Sequence, residues 1–188
     1  YIWPGGLSHD LPPNFIQYTT EFLDYFEPML KEFDNVLSEN MIFVERTADV
    51  GIITPKVGIN FGVSGPTLRG SGVNYDLRKD EPYSVYNKFD FEVPVGKGLM
   101  GTVGDCWDRY WVRMREMEES VKILRQAIAQ LPEGDIHEVR PKKLRPSKGA
   151  VYSRYESARG DVGFYIISDG KNIPYRLKMR SPAFCNLS

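Results

Sequence analysis

The most constraining feature of this chain lies at residues 105–131, where Trp107, Tyr110, Met114, Met117, Val121, Leu124, Ile128 and Leu131 recur at alternating intervals of three and four. That spacing returns side chains to one face of an α-helix. Sustained over more than three heptads it also fits a coiled-coil seam. A stripe this wide, with aromatic members, suits the buried face of a central helix better. On the polar face, Glu118 and Lys122, and Arg115 and Glu119, stand one turn apart; such pairs add little beyond solubility. A chain of 188 residues, 41% hydrophobic and 13% aromatic, can bury a core around such a helix.

The flanking sequence supplies what packs on it. Residues 1–13 hold Pro4-Gly5-Gly6 and Pro12-Pro13 and read as a loop feeding a helix with Asn14 at its N-cap. Phe15, Phe22, Phe26, Met29, Phe33, Val36 and Leu37 then keep near the helical period, with a kink expected at Pro28. Thr54-Pro55 is an N-cap followed by proline at the first helical position, Gly62 is a stop, and a further short turn is expected at residues 64–69. Alternation of Val85, Phe89, Phe91 and Val93 predicts one or two strands at residues 83–95. Beyond Val151 the period becomes two over residues 151–155, 162–167 and 175–180, with turn chemistry at Arg159-Gly160-Asp161 and Asp169-Gly170-Lys171-Asn172. This predicts a three-stranded antiparallel meander with Arg176, Lys178 and Arg180 on one face and Tyr175, Leu177 and Met179 on the other. Helices first and a small sheet last indicate an α+β fold, and no internal repeat or linker divides the chain.

Composition narrows the function classes. Twenty-four Lys and Arg against 25 Asp and Glu give a net charge of -1, so no global field draws the molecule to nucleic acid or an anionic surface. The Pro-rich connection at 132–149 carries Arg140, Lys142, Lys143, Arg145 and Lys148. It offers a docking patch for an acidic partner, but without aromatic interleaving or a reader motif it argues against nucleic acid, and short basic runs are usually solvated. Cys106 and Cys185 stand alone, which predicts neither a disulfide framework nor a CxxC metal clamp and suits a reducing compartment. His9 and His137 lack acidic or Cys neighbours at ligand spacing and are expected to face solvent. No run approaches the roughly 18 apolar residues of a membrane span. The start at Tyr1 and the stop after Cys185-Asn186-Leu187-Ser188 suggest that both ends are cut.

Six segments, in order, carry a family resemblance: Tyr1-Ile2-Trp3-Pro4-Gly5-Gly6, the run from Ser64-Gly65-Pro66 through Arg69 to Gly72, Asp76-Leu77-Arg78-Lys79, Gly104-Asp105-Cys106-Trp107-Asp108-Arg109-Tyr110, Phe164 to Gly170, and Pro174-Tyr175-Arg176-Leu177-Lys178. Together they resemble the hydrogenase-like D subunit family of respiratory NADH:quinone oxidoreductase (complex I). Its fold is that of the hydrogenase large subunit, α+β with a long central helix and a small antiparallel sheet. The resemblance implies that residues 1–188 are a single-domain piece of that subunit, lacking an N-terminal portion and a helical C-terminal tail. The His and Tyr that meet the quinone head-group lie in that N-terminal portion, so no catalytic residue is named here.

A deeper likeness joins the last third to nickel-iron hydrogenases, whose Glu-Ala-Pro-Arg-Gly and Pro-Thr-x-x-Asn segments correspond to Glu156-Ser157-Ala158-Arg159-Gly160 and Ser181-Pro182-Ala183-Phe184-Cys185-Asn186. Ala158 stands where the proline would be. By that likeness Arg159 and Glu156 are the candidate quinone-cavity or cluster-proximal residues; the plain alternative is an arginine in a turn paired with Asp161 or Glu156. Arg69, Arg78, Asp105 and Arg109 are better explained as buried structural pairs. No metal ligand is expected, since the hydrogenase CxxC pairs lie outside this region.

The implied function is a subunit of a proton-pumping NADH:quinone oxidoreductase, peripheral on the cytoplasmic side of the energy-conserving membrane. Quinone would be the substrate, NAD and iron-sulfur clusters would belong to partner subunits, and the neighbours would include the iron-sulfur subunit beside the cavity and the membrane arm. The piece alone is expected to be inactive and to bind no cofactor. Two alternatives stand beside this: a subunit of a membrane-bound hydrogenase or ferredoxin-linked complex, and a non-enzymatic interaction module acting through the basic linker.

Overall fold

The computed structural model describes residues 2–3, 5–138 and 145–187. The chain runs β1 (Ile2–Trp3), β2 (Gly6–Leu7), α1 (Phe15–Phe33), α2 (Met41–Thr47), α3 (Pro55–Asn60), α4 (Gly65–Gly70), α5 (Leu77–Asp80), α6 (Cys106–Ala129), β3 (Gly149–Ser157), β4 (Gly160–Ser168), β5 (Arg176–Arg180) and α7 (Pro182–Cys185). The α+β class is as expected.

The helix α6 is the spine. It begins at Asp105, whose carboxylate accepts from the Asp108 N–H at 2.8 Å as an N-cap should. The second oxygen of Asp105 accepts from Asp49 N–H at 2.9 Å. Buried Asp108 accepts from Gly98 N–H at 2.9 Å and Gly104 N–H at 3.3 Å. One helical turn thus supplies acceptors for N–H groups of two loops, that of buried Gly104 among them. Asp105 is therefore structural, as is Arg109, although Arg109 pairs with the carbonyls of Gly104 and Gly51 rather than with an acid.

Further along, Val121 joins Leu23 and Leu30 of α1 in a buried apolar cluster flanked by Phe26, Met117 and Ile128. The stripe does not stay buried to its end: Leu124 is 42% exposed and Leu131 45%. Burial instead gathers on the first two-thirds of α6, where Trp107, Val112, Met114 and even Glu119 are covered. The charged pairs also differ from expectation. Arg115 meets Glu118 at 2.8 Å and Lys122 meets Glu119 at 2.5 Å, three residues apart in each case.

Other local readings divide. Thr54 caps α3 by accepting from Val57 N–H, with Pro55 at the first helical position. Asn14 precedes α1 in a left-handed conformation and makes no side-chain cap. α1 remains helical through Pro28, and the change of helix type comes later, in a π turn at Asp34–Ser38. The N-terminal loop contains a small ladder between β1 and β2, with Leu7 N–H donating to Ile136 O at 2.8 Å.

The strands expected at residues 83–95 do not form. That stretch turns at residues 84–85, where Ser84 has φ +54°, forms a 3-10 turn at Tyr86–Lys88 and has no strand partner among the described residues. Its polar groups go to α6 side chains: Asp90 N–H to Gln126 Oε1 at 2.8 Å, Gln126 Nε2 back to Asp90 O at 2.7 Å, and Glu92 N–H to Glu119 Oε2 at 2.9 Å. Pro82 and Pro94 bracket the segment and offer no backbone donors, so side-chain acceptors replace a ladder.

The C-terminal meander forms as the alternation predicts, in the order β3-β4-β5, all antiparallel. Tyr152, Tyr165 and Lys178 lie side by side across it. Strand alternation puts Arg176, Lys178 and Arg180 on one face and Leu177 and Met179 on the other.

Candidate functional site

The sheet and the helical core meet at α4. Every residue of this helix, Gly65 to Gly70, is buried. Gly65 has φ +67°, and a Cβ there would lie 2.5 Å from Gly160 Cα, so two glycines are what let the β3–β4 turn press against the helix. Ser64 Oγ accepts from Asp161 N–H at 3.1 Å, and Asn186 spans the same joint, donating to Ser64 O at 3.2 Å and Arg159 O at 2.9 Å.

This close approach brings together a buried ionic cluster. Arg69 is 1% exposed. Its guanidinium donates to Glu116 Oε1 on α6 at 2.7 Å, to Glu156 Oε1 on β3 at 2.9 Å and to Tyr75 O at 3.0 Å, and lies 3.4 Å from Asp76 Oδ2. Asp76 in turn holds Arg78, with Nη2 at 2.6 Å. Glu156 is fixed at both ends of its carboxylate, Leu77 N–H reaching Oε2 at 3.5 Å, while its own carbonyl accepts from Tyr83 OH at 3.0 Å. Arg78 and Lys79 cover Phe91, at 5.0 Å and 4.1 Å from the ring centre.

The electrostatics divide the acids. Burial pushes the Glu116 and Glu156 carboxyls up, against the pull of Arg69. Burial acts on Asp76 in the same direction, but its hydrogen bonds from Arg78 and the charges of Arg69 and Arg78 hold it below the usual carboxylate range. Burial also raises the Tyr83 hydroxyl to about 12.

A pocket of about 330 Å³ opens beside this cluster, lined by Arg78, Tyr86, Arg113, Glu116, Glu156 and Ala158, among others. A larger groove of about 550 Å³ runs over the sheet face between Tyr152, Tyr165, Arg176 and Lys178. The smaller one is the better candidate, because only there do buried polar groups converge.

Of the two site residues expected from sequence, the structure seats one in the cluster. Glu156 is buried, 2.9 Å from Arg69. Arg159 is exposed in the β3–β4 turn, next in sequence to the pocket-lining Ala158; Asp161 faces Arg154 and Arg180 instead, at 3.5 Å each. The turn pairing of Arg159 with Asp161 or Glu156 is therefore absent among the described residues. Arg69 is a buried structural pair as expected, and Arg78 is a half-buried one. Sequence reasoning misses Asp76 and Glu116. Glu116 stands at i+4 from Val112 and i−3 from Glu119, a face that an apolar stripe does not report.

Among the described residues no group of His, Cys, Asp and Glu is arranged to hold a metal, and no helix is long and apolar enough to cross a membrane. Cys106 and Cys185 are free thiols, and His9 and His137 are exposed. In the basic connection Arg145 and Lys148 are exposed, while Arg140, Lys142 and Lys143 lie outside the described residues.

The sequence matches, over residues 1–148 and 137–188, the family described as respiratory-chain NADH dehydrogenase, 49 Kd subunit. The chain belongs to that family. Among its relatives, the D subunit of the NADH-quinone oxidoreductase of Chlorobaculum tepidum is 52% identical over 192 residues, covering 100% of this chain and 48% of the relative. The corresponding D subunit of Chlorobium luteolum is 50% identical, covering 100% of this chain and 49% of the relative. A D subunit of the NADH-quinone oxidoreductase of Anaeromyxobacter dehalogenans is 49% identical over 180 residues, covering 96% and 48%. The chain thus spans about half the length of the curated relatives it matches. The cluster draws on residues far apart in the chain: Arg69 from α4, Asp76 and Arg78 at the start of α5, Glu116 from α6 and Glu156 from β3.

Proposed function

We propose that this chain is part of the 49 Kd, hydrogenase-like subunit of an NADH:quinone oxidoreductase and that its pocket beside α4 forms part of the quinone-reduction cavity. Electrons would arrive from NADH through iron-sulfur clusters of partner subunits, in a proton-pumping complex docked peripherally on the cytoplasmic side of the energy-conserving membrane. The neighbours would be the iron-sulfur subunit beside the cavity and the membrane arm. The observation that carries this reading is the lock between Glu156 and Arg69 beside the pocket, whose lining ends at Ala158, the residue before exposed Arg159.

Within that frame Glu156 is a positioning residue and Arg159 a group free to meet a ligand or the partner that holds the cluster. A guanidinium stays charged and offers a planar fork of donors, whereas Lys offers a point charge. In the assembled enzyme, Arg159→Ala and Arg159→Lys are both expected to depress quinone reduction while leaving assembly of the complex and NADH oxidation by an artificial acceptor intact. Parent-rate quinone reduction in both variants would remove Arg159 from the cavity.

A further inference from the structure

Counting the groups joined by ion pairs, the cluster beside the pocket is short of one positive charge. Three carboxylates, Asp76, Glu116 and Glu156, are joined to two guanidiniums, Arg69 and Arg78. A third cation lining the pocket, Arg113, feels the charge of Glu116, but it spends its donors on Arg109 O at 2.5 Å and Thr67 Oγ at 3.3 Å and forms no ion pair among the described residues. An uncompensated carboxylate in a buried site is costly, and the ordinary relief is protonation.

The bonding pattern says where the proton goes. Asp76 accepts from three N–H groups of Arg78, its backbone N–H, Nε shared between both oxygens, and Nη2, and has no room for one. Both oxygens of Glu156 already accept, from Arg69 and from Leu77 N–H. Glu116 uses only Oε1, toward Arg69; its Oε2 accepts from no group among the described residues. Its side chain is 17% exposed, against 2% for Glu156 and 0% for Asp76, and it lines the pocket.

We propose that Glu116 holds the proton the cluster lacks, on Oε2, and presents it to the pocket as a hydrogen-bond donor for a ligand with a carbonyl oxygen. The identity of that ligand rests on the reading of the pocket as cavity wall; the proton does not. The groups that face Glu116 are Arg69 from α4, Asp76 and Arg78 at α5, Tyr86 from the 3-10 turn, Arg113 from α6 itself and Glu156 from β3. The burial of Glu116, which raises its carboxyl, acts in the same direction.

The test follows the 13C resonance of the glutamate carboxyls in this chain through a pH titration, with no quinone present. One resonance, absent in Glu116→Gln, should titrate at higher pH than the exposed glutamates. Glu156→Gln balances the cluster at two acids and two arginines, so it should move the Glu116 midpoint down. A Glu116 midpoint within the range of the exposed glutamates, or a high-pH resonance that survives Glu116→Gln and vanishes in Glu156→Gln, would overturn the proposal. If Glu116→Gln fails to fold, Glu116→Asp, which keeps an acid at the position, assigns the Glu116 resonance by its loss from the glutamate set. Because quinone takes no part, a normal midpoint sinks the proton assignment without touching the cavity reading, and the Arg159 variants do the converse.

Discussion

Two regions hold this molecule together by different means. Where α1 crosses α6, Leu23, Leu30 and Val121 meet in an apolar cluster whose attraction is non-directional and set by area. Where α4 meets β3, Arg69 gathers Glu116, Asp76 and Glu156 in fixed geometry, and the attraction depends on every partner being present. An apolar seam tolerates exposure at its margins, as Leu124 shows. The ionic joint is held by directed contacts on Arg69, and the pocket lies against it.

The largest expected effect falls on the joint. Arg69→Met leaves buried Asp76 and Glu156 and half-buried Glu116 facing one guanidinium, and breaking a buried pair in this way costs about 3–5 kcal/mol. Denaturant titration should show the loss to be greater at pH 8 than at pH 5, where the acids take up protons. A loss that is small and independent of pH would make the joint incidental to folding.

In the seam, Leu23→Ala should cost about 2–5 kcal/mol as a large-to-small change at a residue 1% exposed, with no dependence on pH between 5 and 8. Leu124→Ala, at the open end of the same helix pair, should cost below about 1 kcal/mol. Near-equal losses for the two would mean that the end of α6 is covered in solution.

Titration sharpens the contrast further. Burial raises the Glu116 and Glu156 carboxyls in the folded state, so the native form binds protons more readily than the unfolded chain. Their contribution to stability is fully present below the ordinary carboxylate range and is lost as pH rises through the folded midpoints. Glu116→Gln should flatten that decline. Asp34 behaves oppositely: burial raises it, but hydrogen bonds from Ser38 and Arg115 and the Arg115 charge win and lower it. Its contribution is present above the unfolded carboxylate value and fades as pH falls through the lower folded one. At a partly exposed pair the effect of Asp34→Asn should stay below about 1 kcal/mol and vanish in acid.

The elements legible in the sequence are those whose signal is local. Periodicity discloses α6 and the meander, and Thr54-Pro55 discloses α3, because caps and turns are written in neighbouring residues. Residues 83–95 mislead because alternation records which side chains are covered, not what satisfies the backbone; here the acceptors are Gln126 and Glu119, more than 25 residues away in sequence. The same holds for the site. Glu156 is legible through its segment, but its partner Arg69 is 87 residues distant and Glu116 gives no pattern of its own. The turn that carries Arg159 is legible too, yet which way its side chain points depends on Gly65 and Gly160 meeting across the joint.

The most direct test of the central claim is photoaffinity labelling of the assembled oxidoreductase with a quinone bearing a photoreactive group on its ring. If the pocket beside α4 is cavity wall, labelled peptides from this chain will contain Arg113 to Ser120 or Glu156 to Arg159, and excess unmodified quinone will suppress the labelling. Labelling confined to other subunits or to segments distant from α4, with competition intact, would contradict it.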